Sequence, residues 1–194
     1  MFDYKDTAKQ LLQPGAVGII PTDTVYGLVA RAADVAAVDR LYACKPRIYK
    51  IGTVIAATIE QLEALGLKRR YMTAVEQYWP GSVSIIIPCA DPKLKYILQT
   101  RQGLAVRIPD NKALLEVLSQ TGPLVTTSAN YPDEPTATTI GQAQETFGND
   151  VDFYIDGGDL SGRKASTIIK VVDDAVEVIR AGAVTINETA GDQQ

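Results

Sequence analysis

The sequence predicts an α/β domain: a twisted, mixed, open sheet flanked by helices, with an anion-binding cleft where its strands end. Three observations predict it. Short apolar runs of strand length, bounded by proline, glycine or hydroxyl residues, recur along the chain. Segments with apolar residues at helical spacing separate most of them. The last quarter changes to strands joined by a tight turn, so antiparallel pairs close a sheet otherwise built from strand and helix alternation.

The elements follow in order. Residues 3–13 place Tyr4, Ala8, Leu11 and Leu12 near one helical face before Pro14 and Gly15 end the segment. The run 16–20, Ala-Val-Gly-Ile-Ile, reads as an inner strand that stops at Pro21, which has no N–H to give a ladder. Thr22-Asp23-Thr24-Val25-Tyr26-Gly27-Leu28 then places small hydroxyls at a strand's carboxyl end, the edge where open α/β sheets bind ligands. Asp34 is placed to N-cap a helix bearing Val35, Val38, Leu41 and Tyr42. Pro46 cannot continue that helix, so Lys45, Arg47 and Lys50 emerge at its end.

Residues 53–57 form the next buried strand, and Thr58 caps a helix carrying Ile59, Leu62 and Leu65. A further helix covers 73–79 until Pro80 and Gly81, followed by a strand at 84–88 and a polar connection at 91–102. Residues 104–109 put Arg107 at the end of a short strand that again meets proline. Asn111 caps a helix with Leu114, Leu115 and Leu118 on one side, and Gly122-Pro123 resets the chain. The strand 124–127 runs into Ser128-Ala129-Asn130, once more hydroxyls and an amide at a strand end. Thr139 opens a helix holding Ile140, Ala143 and Phe147, which Gly148 and Asn149 close. Strands at 153–155 and 166–172, a tight turn at Asp173-Asp174 and an alternating partner at 176–180 complete the set. Between the first two lies a glycine-rich basic loop, 156–164. The organisation expected is one domain over 1–186 and a flexible tail over 187–194, which lacks an apolar pattern.

Composition narrows the chemistry. The chain has 194 residues, 46% hydrophobic and 22% charged, with no apolar run long enough to span a bilayer. The amino terminus lacks the basic flank and apolar segment of a secretion signal, so the expected location is the cytoplasm and no membrane partner is expected. A net charge of −4 argues against a surface built for non-specific nucleic-acid binding. Cys44 and Cys89 stand far apart, without a CxxC pair, and read as small core residues. The absence of histidine removes Ser-His-Asp and Cys-His nucleophiles and the usual near-neutral proton shuttle. Neither a P-loop nor a GxGxxG fingerprint is present. An enzyme of this composition works by positioning and by lysine and arginine electrostatics.

Polar and cationic groups recur where strands end: Thr22, Thr24, Lys45, Arg47, Lys50, Arg107, Thr127, Ser128, Asn130, Ser166, Thr167 and Arg180. Taken singly, each has an ordinary reading. The Lys45-to-Lys50 group suits a solvated helix end, Arg107 a surface ion pair, and loop 156–164 a plain hairpin connection. Together, in an acidic protein, they describe a cleft for an anion such as polyphosphate.

The segments Pro-Thr-Asp-Thr-Val-Tyr-Gly-Leu, Lys-Pro-Arg followed by Lys50, Ala-Val-Arg-Ile-Pro, Thr-Thr-Ser-Ala-Asn, Ser-Thr-Ile-Ile and Val-Ile-Arg-Ala-Gly-Ala-Val occur in this order between residues 16 and 184. In that order they resemble the YrdC/TsaC family, the threonylcarbamoyl-AMP synthases of the YrdC/YciO/YwlC superfamily. The family's paired K-x-R and S-x-N are matched by Lys45-Pro46-Arg47 and Ser128-Ala129-Asn130. Family members commonly read K-x-R-P-x-x-K, whereas Arg47-Ile48-Tyr49-Lys50 lacks that proline and is one residue shorter. The segment after Asn130, Tyr131-Pro132-Asp133-Glu134, replaces the usual Ser-Gly.

The resemblance implies a YrdC-like fold and a nucleotidyltransferase that converts L-threonine, bicarbonate and ATP, with Mg²⁺ carried on the ATP phosphates rather than on a protein metal site. Its product would feed the t⁶A modification of tRNA through TsaD/TsaB/TsaE-type partners. By matching positions, Thr22, Thr24, Arg107, Thr127 and Ser166 would form the threonine pocket, with Arg107 facing the carboxylate. Lys45, Arg47, Lys50, Ser128, Asn130 and Arg180 would hold ATP, and Lys45, Arg47, Ser128 and Asn130 would carry catalysis without a covalent nucleophile. Two other readings stay open at the level of sequence: a YciO-like paralogue with weak or different activity, and an RNA-binding module with weak tRNA or RNA contact.

Overall fold

The computed structural model describes residue 4 and residues 6–45, 52–172 and 175–186. Its centre is a hairpin. Strand β1 (Val17–Pro21) runs antiparallel to β2 (Tyr26–Arg31), with Val17 opposite Ala30 and Pro21 opposite Tyr26. The reversal between them is held by side chains: the Thr22 hydroxyl donates to the Val25 carbonyl at 2.7 Å and accepts from the Thr24 amide at 3.1 Å. The sequence reading let β1 run into a loop; instead the chain folds straight back. Pro21 ends β1 opposite Tyr26.

Among the described residues nine strands form one mixed sheet, ordered β7-β1-β2-β6-β3-β5-β4-β8-β9. The remaining strands are β3 (Thr53–Ile55), β4 (Val83–Pro88), β5 (Gly103–Arg107), β6 (Leu124–Ser128), β7 (Phe153–Tyr154), β8 (Thr167–Val172) and β9 (Ala175–Arg180). β3 with β5, β4 with β8, and β1 with β7 pair in parallel, and the other neighbours are antiparallel. This is the mixed α/β sheet expected.

Among the described residues six α-helices accompany it: α1 (Thr7–Leu11), α2 (Val35–Ala43), α3 (Ile59–Ala64), α4 (Lys95–Leu98), α5 (Lys112–Thr121) and α6 (Ile140–Phe147). Successive strand residues point to opposite faces, so each inner strand feeds two apolar layers. Ile19, Leu28, Val54 and Val125 join the layer of α2 and α6, while Ile20, Val29, Ile55 and Leu124 join that of α1 and α5. Burying each such Leu or Ile contributes roughly 1.5–3 kcal/mol. The helix starts are fixed as their residue types suggest, with side chains of Asp34, Thr58, Asn111 and Thr139 each accepting from a backbone amide three residues on.

Two segments differ from the sequence reading. The helix expected over 73–79 is a 3-10 helix, Thr73–Tyr78, and it stops one residue early because the residue before Pro80 is driven to an extended backbone, which Trp79 adopts. The polar connection 91–102 contains a 3-10 turn and α4, both too short to show a period. The turn at Asp173-Asp174 and the tail 187–194 lie outside the described residues.

Candidate functional site

Lys45 follows the last turn of α2, and its position is set from both ends of that helix. Asp34 caps the first turn by accepting from Ala37 N at 3.0 Å and also accepts from Gly15 N at 2.8 Å, just ahead of β1. At the other end the buried Lys45 ammonium donates to Ser128 O at 2.8 Å, Thr127 Oγ1 at 3.2 Å and Asn130 Oδ1 at 3.4 Å. Ser128 Oγ donates to Asn130 Oδ1 at 2.6 Å. The Asn130 amide donates to the carbonyls of Tyr131 and Glu134, fixing the following loop to the same point. Gly27 lies opposite Ser128, and a Cβ on it would stand 2.6 Å from Thr126 Oγ1, so only glycine permits this approach of β2 to β6.

A second constellation crosses the sheet. Arg107, at the end of β5, pairs its guanidinium with Asp23 of the hairpin turn at 3.0 Å, with both side chains almost fully buried. Ser82 Oγ donates to the other Asp23 oxygen at 3.2 Å. A second guanidinium nitrogen of Arg107 lies 3.5 Å from Ser84 Oγ, which shares a hydrogen bond of 2.9 Å with Ser166 Oγ. The Arg180 guanidinium completes the chain by donating to Ser166 O at 2.6 Å. Burial presses the Arg107 pKa downward against the opposing pull of Asp23; Arg180 is lowered by burial and then by the Arg107 charge. Arg107 Nε is buried without a hydrogen-bond partner among the described residues. A buried donor left in this state is a ready place for an anionic oxygen.

The two buried threonines of the hairpin turn share a hydrogen bond, Thr22 Oγ1 to Thr24 Oγ1, at 3.0 Å. Asp23 and Thr24 form one side of a cavity of about 380 Å³, whose other walls are Gly162, Arg163, Lys164 and Ala183. Small-molecule sites fall in this size range.

Residues 10–182 match the Sua5/YciO/YrdC family model, whose description reads telomere recombination. The chain belongs to the Sua5/YciO/YrdC family. It is 32% identical over 166 residues to the threonylcarbamoyl-AMP synthase of Pseudomonas paraeruginosa, covering 84% of this chain and 89% of that one. It is 30% identical to the threonylcarbamoyl-AMP synthase of Bacillus subtilis over 92% of this chain, which spans 53% of that relative. The solved structure of Pyrococcus abyssi Sua5 complexed with L-threonine superposes with a TM-score of 0.79 at 28% identity. That match covers 91% of this chain and 53% of that one.

Within this Sua5/YciO/YrdC fold the sequence-derived residues fall into two groups. Lys45, Thr127, Ser128 and Asn130 meet at the end of α2, while Arg107, Ser166 and Arg180 join the buried chain. Thr22 and Thr24 flank Asp23, which ties the turn to Arg107. Thr127, grouped by resemblance with Arg107, places its hydroxyl on Lys45 instead. Arg47 and Lys50 lie outside the described residues. Sequence reasoning missed Asp23 and Ser84 as site residues. The signal for Asp23 was an acid between two threonines, and for Ser84 a lone hydroxyl inside the apolar run 83–88.

Proposed function

We propose that the chain is a threonylcarbamoyl-AMP synthase, a nucleotidyltransferase that joins L-threonine, bicarbonate and ATP and releases pyrophosphate. One observation carries the reading. The Lys45 and Ser128-Ala129-Asn130 segments, far apart in sequence, are brought to one point by hydrogen bonds of 2.8 Å and 3.4 Å, in a family whose curated relatives bear this activity's name.

The chemistry suits the residues. Bicarbonate takes up a proton to give carbon dioxide and water, and the threonine amine adds to the carbon dioxide to give a carbamate and releases a proton. A carbamate oxygen then forms a bond to the α-phosphorus of ATP while the bond to the pyrophosphate oxygen breaks. Nucleophile and leaving group are both anions, so positioned cations and excluded water supply most of the acceleration. Arg107, with its unpartnered Nε, takes the threonine carboxylate, and Thr22, Thr24 and Ser166 border it. Lys45, held by three neutral oxygens, faces the carbamate and phosphates, with Ser128 and Asn130 beside it and Arg180 toward the triphosphate. Arg47 and Lys50 are assigned to the phosphates by sequence match alone.

Among the described residues no group of three or more His, Cys, Asp or Glu converges to hold a metal ion. Mg²⁺ is proposed to enter on the phosphate oxygens of ATP, where it would neutralise charge at the leaving group. The product is proposed to pass to TsaD/TsaB/TsaE-type partners for t⁶A formation in the cytoplasm. Among the described residues no helix is long and apolar enough to cross a membrane.

The test is an omission assay with ATP, Mg²⁺, bicarbonate and L-threonine, following pyrophosphate and the adenylate by mass spectrometry. Product that requires every substrate is expected. Pyrophosphate release indifferent to threonine would overturn the reading.

A further inference from the structure

The synthase reading gives Tyr26 no role, yet this residue is fully buried and bonded through both its backbone and its side chain. Its carbonyl accepts from the Ala129 amide at 2.9 Å, inside the Ser128-Ala129-Asn130 segment that meets Lys45. Its hydroxyl reaches the loop of residues 156–164, donating to Gly158 O at 2.8 Å and accepting from Gly157 N at 2.8 Å. A Cβ on Gly157 would run into the Pro21 ring, so the loop is pressed against the end of β1, where Pro21 stands opposite Tyr26.

Hydrogen bonds and short stretches of chain close a ring through Tyr26. Ala129 O accepts from Ala137 N at 2.9 Å, and the adjoining Thr138 O accepts from the amide of the buried Leu160 at 2.8 Å. From Leu160 the chain returns through Asp159 to Gly158 and the Tyr26 hydroxyl. Just beyond the ring, Leu160 O accepts from Arg163 N at 3.2 Å, a turn that carries residues 162–164 to the cavity bordered on its other side by Asp23 and Thr24. One residue therefore holds both the segment at the reacting centre, through its backbone, and the far wall of the cavity, through its hydroxyl.

We infer that the Tyr26 hydroxyl is a positioning group that fixes loop 156–164 as the far wall of the cavity and so sets the grip on the substrate seated against Thr24. That this substrate is L-threonine rests on the synthase reading; the hold on the loop does not. Removing the hydroxyl takes from the Gly157 amide and the Gly158 carbonyl the partner they share, and both turn to water. The aromatic body stays packed in the core and the Tyr26 carbonyl stays on Ala129, so the loop loosens while the sheet and the Lys45 cluster keep their geometry.

The test compares the wild-type chain with Y26F and with the control Y154F, which loses a hydroxyl bond to Gly148 O of 2.7 Å away from the cavity. Amide hydrogen exchange reads the loop, and steady-state kinetics read the cavity. Y26F is expected to speed exchange over residues 157–160 about fivefold or more and to raise KM for threonine by a similar factor, with kcat and KM for ATP unchanged. Y154F is expected to leave both the loop exchange and KM for threonine as in the wild type. G157A, which pushes the loop off Pro21 with Tyr26 untouched, is expected to raise KM for threonine in the same way and serves where Y26F fails to fold. Loop exchange in Y26F equal to the wild type, faster exchange with KM for threonine unchanged, or the same rise in Y154F would overturn the inference. Faster loop exchange confined to Y26F, in a protein whose wild-type form shows no threonine-dependent turnover, would keep the hold on the loop and remove the synthase reading.

Discussion

The Arg107 guanidinium and the Asp23 carboxylate meet at 3.0 Å, with side-chain exposures of 4% and 2%. This pair ties the turn between β1 and β2 to the end of β5. Removing one member of a buried pair strands the other charge out of water, at a typical cost of about 3–5 kcal/mol, whereas replacing both by apolar groups is often near neutral.

Asp23→Ala is therefore expected to lower the urea midpoint by the equivalent of about 3 kcal/mol, and Asp23→Ala with Arg107→Met to recover most of it. Equilibrium unfolding of the single and double variants measures this. A single variant as stable as the wild type would remove the pair from any structural role.

Arg107→Lys keeps the charge beside Asp23 but loses the planar fork and the buried Nε. It is expected to raise KM for threonine about tenfold or more while KM for ATP moves little, since a lysine cannot grip a carboxylate through two parallel bonds. Equal losses for both substrates would assign Arg107 elsewhere.

Lys45→Met and Ser128→Ala act at the other constellation. Each is expected to depress kcat by about tenfold or more while the circular-dichroism spectrum stays that of the wild type. Full turnover in either variant would take that residue out of the reacting centre.

Asp34 gives a pH-dependent outcome. Its carboxyl is held below the ordinary carboxylate range, first by the Gly15 amide and then by the Ala37 amide. A group whose pKa is lowered on folding adds stability that is fully present above its unfolded value, about pH 4, and is lost as pH falls through the folded value. Asp34→Ala should cost about 1 kcal/mol at pH 7, and the difference from wild type should shrink steadily below about pH 4. Urea titrations at several pH values follow it; a difference that is independent of pH would refute the electrostatic part.

The sequence-level reading succeeded where a local rule governs. The caps at Asp34, Thr58, Asn111 and Thr139 are short-range bonds between a side chain and an amide three residues on, and each is where its residue type placed it. Strand β2 escaped because its turn uses threonine hydroxyls in place of the glycine or asparagine that announce most hairpins. The Asp23–Arg107 pair links positions 84 apart, a contact that neither local propensity nor periodicity encodes. A basic residue closing a short strand resembles a surface ion pair until the packing shows it buried. Likewise, loop 156–164 reads as a connector until Tyr26 is seen to hold it.

Helix α2 has a mechanical consequence. Its nine residues, at about 1.5 Å each, form a rod about 13.5 Å long that is tied to the Gly15 amide through Asp34 at one end and leads into Lys45 at the other. A hydrogen-bonded rod transmits displacement with little loss, so the spacing between the start of the central hairpin and the ammonium behaves as a ruler. Loosening the distant Asp34 end would let that ruler slide, changing how well Lys45 is aimed without altering any atom that touches a substrate.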